Sequence, residues 1–210
     1  MSKARAKKIK LILFDVDGVL TDGTIWLFPP PPGSDRSQTS VIAARADSGS
    51  FGQASAAFVE VKGFHAHDGI AISLARHAGL KTGLITRRIS ETVALRARDL
   101  KVDHVLQGQA DKCAALDKIL AMEGFSADEA AFVGDDLVDL PVMRRCGLAM
   151  AVPNAREEVK DEAHFITGHR GGEGAARDAI EYILRSQGRL DAAVESYIGS
   201  RPAGRSGRKR

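Results

Sequence analysis

Cysteine is scarce: Cys113 and Cys146 are the only two in 210 residues, and both lie in helix-like apolar surroundings. Two thiols so placed exclude a disulfide-stapled secreted scaffold and fit a reducing, cytoplasmic setting. Long apolar runs are missing too. None approaches the ~18 residues of a membrane span, and Leu11–Phe14, behind the basic start, stops at Asp15, too short for a signal peptide. Excess charge is small. The formal net charge is +3, with Lys3, Arg5, Lys7, Lys8 and Lys10 at one end and Arg205, Arg208, Lys209 and Arg210 at the other. The near-neutral middle excludes a protein built to coat nucleic acid. There is no GxxxxGK[ST] element, so a P-loop nucleotidase is excluded. GHRGGEGAA lacks the strand and spacing of a dinucleotide fingerprint, although a helix start there suits an anion. The single tryptophan, Trp26, reads as packing at a subunit contact rather than as a base-stacking platform.

What the sequence has is an alternation of strands and helices. Ile9–Phe14 reads as a buried strand that ends at an acidic loop, DVDGVLTDG. Thr24–Phe28 and Ala57–Phe64 read as the arms of a β-hairpin, with four prolines at 29–32 and a Ser/Gly/Ala-rich loop, Gly33–Ser55, between them. Strands are then expected at Thr82–Thr86, His104–Leu106, Ala130–Val133 and Leu148–Val152. Helices are expected at Gly69–Ala78, Ser90–Leu100, Asp111–Met122, Leu140–Cys146 and Gly174–Ser186. That order predicts one α/β unit over residues 1–200 with a doubly wound parallel sheet, followed by a disordered basic tail at 201–210.

In such sheets ligands sit at the carboxyl ends of the strands. Asp15, Asp17, Thr86, Lys112 and Asp135 all fall at or just past those ends on this assignment. With Asp136 and Asp139 they would crowd several carboxylates together. Two like charges ~4 Å apart repel by about 1 kcal/mol in water and about 4 kcal/mol at an effective dielectric of 20. A hard cation with oxygen ligands, Mg²⁺ above all, would relieve that repulsion. The plainer alternative for Asp139 is a cap on the helix that begins at Leu140. A carboxylate can attack phosphorus to give a mixed anhydride, and a second acid two residues on can protonate the leaving alkoxide and then activate water. His65 and His67 would share a face in a strand, where substrate contact suits them better than metal binding.

DVDGVLTDG, LIT, Lys112 and VGDDLVDLPVM together resemble the four motifs of the haloacid dehalogenase superfamily. The resemblance implies Asp15 as nucleophile, Asp17 as general acid/base, and Thr86 and Lys112 as phosphate binders. It also implies Mg²⁺ on Asp15, the backbone carbonyl of Asp17 and Asp135, with Asp136 and Asp139 in support. QGQADK, GGEGAARDAIEYIL and GRLDAAVESYI extend the likeness to a branch without a cap domain, whose members dephosphorylate 3-deoxy-D-manno-octulosonate 8-phosphate. For that branch the resemblance implies a homotetramer built by the hairpin, here about 24–64 with an inserted tip at about 29–55. It implies a tail, Gly188–Ile198, that reaches a neighbouring site. Contacts to a small phosphorylated sugar acid are implied at His65, His67, Asp68, Gly69, Ser73, Arg88 and Arg96.

Three positions depart from the family's pattern. Arg87 stands where a glycine is usual, and His67 and Ser73 stand where arginine is common, which removes positive charge from the substrate side. Two rivals weigh less. A receiver domain shares the acids, Thr and Lys, but in another order along the chain. A non-catalytic oligomeric scaffold would need none of Asp15, Asp17, Lys112 and Asp135.

Overall fold

A computed structural model describes residues 2–29 and 59–199. The tip and the Gly33–Ser55 loop, Pro29 apart, and the tail at 201–210 lie outside the described residues, as does the start of the second hairpin arm. Six strands form one parallel sheet: β1 (Leu11–Phe14), β4 (Lys81–Ile85), β5 (His104–Leu106), β6 (Ala130–Gly134), β7 (Leu148–Ala151) and β8 (Phe165–Ile166). Their order across the sheet is β5-β4-β1-β6-β7-β8. β1, β6 and β7 are buried along their whole length, as strands covered on both faces must be. β2 (Trp26–Phe28) and β3 (Val59–Val61) pair antiparallel as the expected hairpin.

The order reverses at β1. The chain runs outward through β4 and β5, then returns to lay β6 on the other side of β1. Phe14 is opposite Leu84 on one side and Val133 on the other. The residues just past these three strand ends therefore share one rim, at the switch point where open α/β sheets bind ligands.

Among the described residues the α-helices are α1 (Ser2–Ala6), α2 (Ala66–His77), α3 (Glu91–Leu100), α4 (Lys112–Glu123), α5 (Leu140–Arg145), α6 (Glu157–Glu162), α7 (Ala175–Ser186) and α8 (Leu190–Gly199). α2, α7, α8 and α1 pack together, and α4, α5 and α6 form a second group. Buried Ala175, Ala176, Ala179, Ile180, Ile183 and Leu184 make the inward stripe of α7. At the start of α4, the Asp111 side chain accepts hydrogen bonds from the backbone N–H groups of Cys113 (2.8 Å) and Ala114 (3.1 Å). That cap fixes the orientation of Lys112 in the first turn.

Two expectations change. α2 begins at Ala66 rather than Gly69, with His65 in the N-cap position and His67 and Asp68 in the first turn. The histidines thus share no strand face; their rings meet edge-on, centroids 4.8 Å apart. An acid in the first helical turn suits the helix dipole, which explains the earlier start. Residues 190–199 also fold as a helix on α2 of the same chain. His77 Nδ1 is 2.9 Å from Ser196 Oγ, and its ring lies 5.8 Å from that of Tyr197. Leu190 and Ala193, with half-buried Val194 and Tyr197, recur at 0, 3, 4 and 7, which is a helical stripe. Any reach toward a neighbouring site starts from a helix anchored here.

Candidate active site

Asp15, Asp17, Thr86, Lys112, Asp135 and Asp136 line one cleft of about 250 Å³ at the carboxyl rim, joined by Arg87, Arg88 and Val138. A larger open depression, about 1150 Å³, lies at the amino end of the sheet around Lys3, Lys8, Lys10, Glu129 and Arg189. It holds none of the acidic constellation, so chemistry rather than volume locates the site.

At the centre of the cleft Lys112 bridges two acids. Its ammonium, almost fully enclosed, is 2.7 Å from Asp139 Oδ1 and 3.0 Å from Asp15 Oδ1. Asp139 is itself 0% exposed and does not cap α5. Its carboxylate instead accepts the backbone N–H groups of Asp135 (3.0 Å) and Asp136 (3.3 Å), which ties the GDD loop to the lysine. Asp136 turns outward and caps the short Leu137–Asp139 turn, accepting from the Leu137 backbone N–H at 2.7 Å. Oxygens of Asp15, Asp135 and Asp139 lie within 4.8 Å of one another.

Burial pushes the Asp15 carboxyl up to about 7; Lys112 opposes the rise and Asp139 adds to it. Burial likewise lifts Asp135 to about 8, with the charges of Asp15, Asp139 and Asp136 reinforcing it. For Lys112 burial works downward but is outweighed by Asp15 and Asp139, so the ammonium is held charged. Asp135 Oδ1 is buried with no hydrogen-bond partner. An orphaned carboxylate oxygen beside two further carboxylates fits a hard divalent cation, which would convert a costly burial into a ligand set.

Glycine is required where the acidic loops meet. Gly18 has φ +91°, and a side chain on it would collide with the Asp135 carboxylate, 2.0 Å from where Cβ would stand. Gly171 approaches so closely that a Cβ would fall 1.8 Å from the Gly18 carbonyl oxygen. Asn154 joins the two: its Nδ2 donates to the Gly18 carbonyl at 2.8 Å, and its Oδ1 accepts the Gly171 N–H at 2.7 Å. GHRGGEGAA thus packs against the first acidic loop, a role its composition did not reveal.

The residues expected to contact substrate divide into groups. Arg88 lines the cleft, and its Nη2 is 2.7 Å from Glu60 Oε2 on the hairpin. His65, Asp68, Gly69 and Arg96 line a separate narrow crevice with Phe64 and Ile72. Asp68 Oδ1 accepts the Arg177 backbone N–H at 2.9 Å and so pins α2 to α7. Burial raises its carboxyl above the ordinary value, against that hydrogen bond. Ser73 is engaged within α2, donating to the Gly69 carbonyl at 3.3 Å, and His67 is exposed. Two site residues escaped the sequence reading: Glu60 and Lys62. The alternation Val59-Glu60-Val61-Lys62 was the available signal, since it puts both charges on the face opposite the valines.

Comparison with known proteins agrees with this geometry. Residues 85–177 match the haloacid dehalogenase-like hydrolase family. The 3-deoxy-D-manno-octulosonate 8-phosphate phosphatase of Escherichia coli K12 is 33% identical over 195 residues, covering 93% of this chain and 89% of that protein. A solved structure of the enzyme of that name from Moraxella catarrhalis, in complex with a magnesium ion, a phosphate ion and a KDO molecule, superposes with a TM-score of 0.75. It is 32% identical and covers 93% of this chain and 97% of its own. A Pseudomonas syringae structure described as a probable yrbi family phosphatase is 41% identical, covers 93% of this chain and 96% of its own, and has a TM-score of 0.75. The chain therefore belongs to the haloacid dehalogenase-like hydrolases, in the family of the 3-deoxy-D-manno-octulosonate 8-phosphate phosphatases.

Proposed function

We propose that the protein hydrolyses the phosphomonoester of a small sugar acid, 3-deoxy-D-manno-octulosonate 8-phosphate, through an aspartyl-phosphate on Asp15. The observation that carries this reading is the meeting of Asp15, Lys112, Thr86 and Asp135 at one rim cleft. An oxygen of Asp15 forms the bond to phosphorus as the ester P–O bond breaks, and Asp17 gives its proton to the departing alkoxide. Asp17 then takes a proton from water, which opens the anhydride and frees phosphate and Asp15. The Thr86 hydroxyl and the Lys112 ammonium hold the phosphoryl oxygens. Asp15, Asp135 and the Asp17 carbonyl would hold magnesium, which would supply the positive charge that lets carboxylates and phosphate share the cleft. Asp139 orients the Asp135 loop and Lys112 without touching substrate.

The substrate rests on the names of the relatives, and Arg87, Arg88 and Lys112 at the cleft suit a doubly anionic ligand. Such an activity belongs to lipopolysaccharide precursor synthesis in the cytoplasm; among the described residues no helix is long and apolar enough to cross a membrane. The test is phosphate release across a panel of sugar phosphates, with Mg²⁺ and with EDTA. A strong, Mg²⁺-dependent preference for the octulosonate phosphate is expected. Broad, weak activity would keep the chemistry and overturn the substrate.

The hairpin supports assembly into a homotetramer. Trp26, Phe28, Val59 and Val61 occupy one face by register and are between 43 and 55% exposed. An apolar face of this kind is what a subunit contact covers. Light scattering should give a solution mass of four 22.4 kDa chains; a monomer would overturn the assembly.

A further inference from the structure

The polar face of the hairpin reaches the active site through four alternating charges. Lys62 forms an ion pair with Asp17 Oδ1 and lies 3.6 Å from Glu60 Oε1. Glu60 holds Arg88 at 2.7 Å, and Arg88 Nε stands 3.6 Å from Asp17 Oδ2. The ring draws on three segments: the first acidic loop, β3 with Lys62 just past its end, and the loop after β4. The Thr92 hydroxyl adds a hydrogen bond to the Glu60 carbonyl at 3.4 Å, which ties β3 to α3.

A lysine side chain that is 0% exposed is costly to bury, and here the compensating acids are Glu60 and Asp17, one of them at the cleft. Lys62 does not itself line that cleft. It cannot serve as a substrate-binding cation from there; what it touches is the carboxylate assigned to proton transfer.

We infer that Lys62 is a positioning residue for Asp17: by holding Oδ1 it fixes the direction in which the carboxyl group faces the cleft. The inference rests on the reading of Asp17 as general acid/base given above. The bonds made and broken are those of that mechanism; Lys62 exchanges no proton with the substrate. The hairpin thereby has a second role besides assembly, because seating β3 is what sets the acid.

The experiment is kinetic. kcat/KM, which covers steps up to formation of the aspartyl-phosphate, is measured for Lys62→Met, Lys62→Arg and Asp17→Asn, and for Lys62→Met combined with Asp17→Asn. Two substrates are compared: the best alkyl phosphate of the panel, whose alkoxide needs a proton, and 4-nitrophenyl phosphate, whose phenolate leaves unaided. Lys62→Met should lose about 10²–10³-fold on the alkyl ester and less than about tenfold on the aryl ester. Lys62→Arg, which keeps the charge, should recover most of the loss. In the Asp17→Asn background Lys62→Met should add almost nothing, since residues acting through one group are non-additive. Equal losses on both esters, or a full extra loss on top of Asp17→Asn, would overturn the role of Lys62. In that case an Asp17→Asn loss that still depends on the leaving group would leave the acid/base reading standing. If Asp17→Asn affects both esters alike, the acid/base reading fails and this inference with it. Circular dichroism melting accompanies each variant, and Lys62→Gln carries the same comparison if Lys62→Met does not fold.

Discussion

Asp15→Asn should abolish phosphate release, by about 10⁴-fold or more, while the metal-free protein unfolds at a temperature no lower than wild type. The two halves have different causes. Asparagine has the shape of the acid but cannot form the anhydride, so the first chemical step is lost. Stability is spared because Asp15 is a burden on the fold: burial and the nearby Asp139 lift its carboxyl to about 7, despite the ammonium of Lys112. Lys112 keeps Asp139 at 2.7 Å when Asp15 loses its charge, so no buried ammonium is orphaned. Phosphate assays and thermal melts in EDTA make the comparison. Undiminished turnover would place the nucleophile elsewhere, and a collapsed melting temperature would make Asp15 structural.

Magnesium should raise the melting temperature at pH 8 by about 5–10 °C when present at a hundredfold its dissociation constant, and by far less at pH 5. Ligand at that excess adds about 2.7 kcal/mol, and a chain of this size gains about 2–4 °C per kcal/mol. The pH dependence follows from the two lifted carboxyls. Asp15 and Asp135 bind protons more tightly folded, at about 7 and about 8, than at the ordinary value of 3.8. The folded state holds the extra protons, so the contribution of these two groups to metal-free stability is greatest below about pH 4 and is lost as pH rises through 7 and 8. A cation replaces those protons, and its contribution grows over the same range. Melts from pH 5 to 8 with Mg²⁺ and with EDTA test this. An identical gain at both ends would remove Asp15 and Asp135 from the metal site.

Much of the site was legible because its groups sit at strand ends. Asp15, Thr86 and Asp135 each follow an apolar run, and parallel topology brings those ends to one rim. The hairpin was legible from its alternation. Other features leave little local trace. β8 has two residues and exists through its pairing with β7. The stripe of α8 was present in Leu190, Ala193, Val194 and Tyr197, yet its partner is α2, far back in the chain. Asp139 reads as a cap from its place before Leu140, and only the folded loop turns its carboxylate toward Lys112. Lys62 meets Asp17 across 45 positions, a separation no periodicity reports.

The brace formed by Asn154 and Gly171 also bears on when, during synthesis, the first acidic loop can be complete. Asp15 is made before either of the strands that flank its own. Its strand waits for β4 on one side and β6 on the other, and the Gly18 carbonyl receives its support only from positions 154 and 171. A chain still growing on the ribosome therefore carries Asp15 and Asp17 well before the scaffold of their loop, which is complete only once the residues around Gly171 have emerged. Until then the carboxylates stay open to water, where their mutual repulsion is weak and the metal-free burden on the fold has not begun.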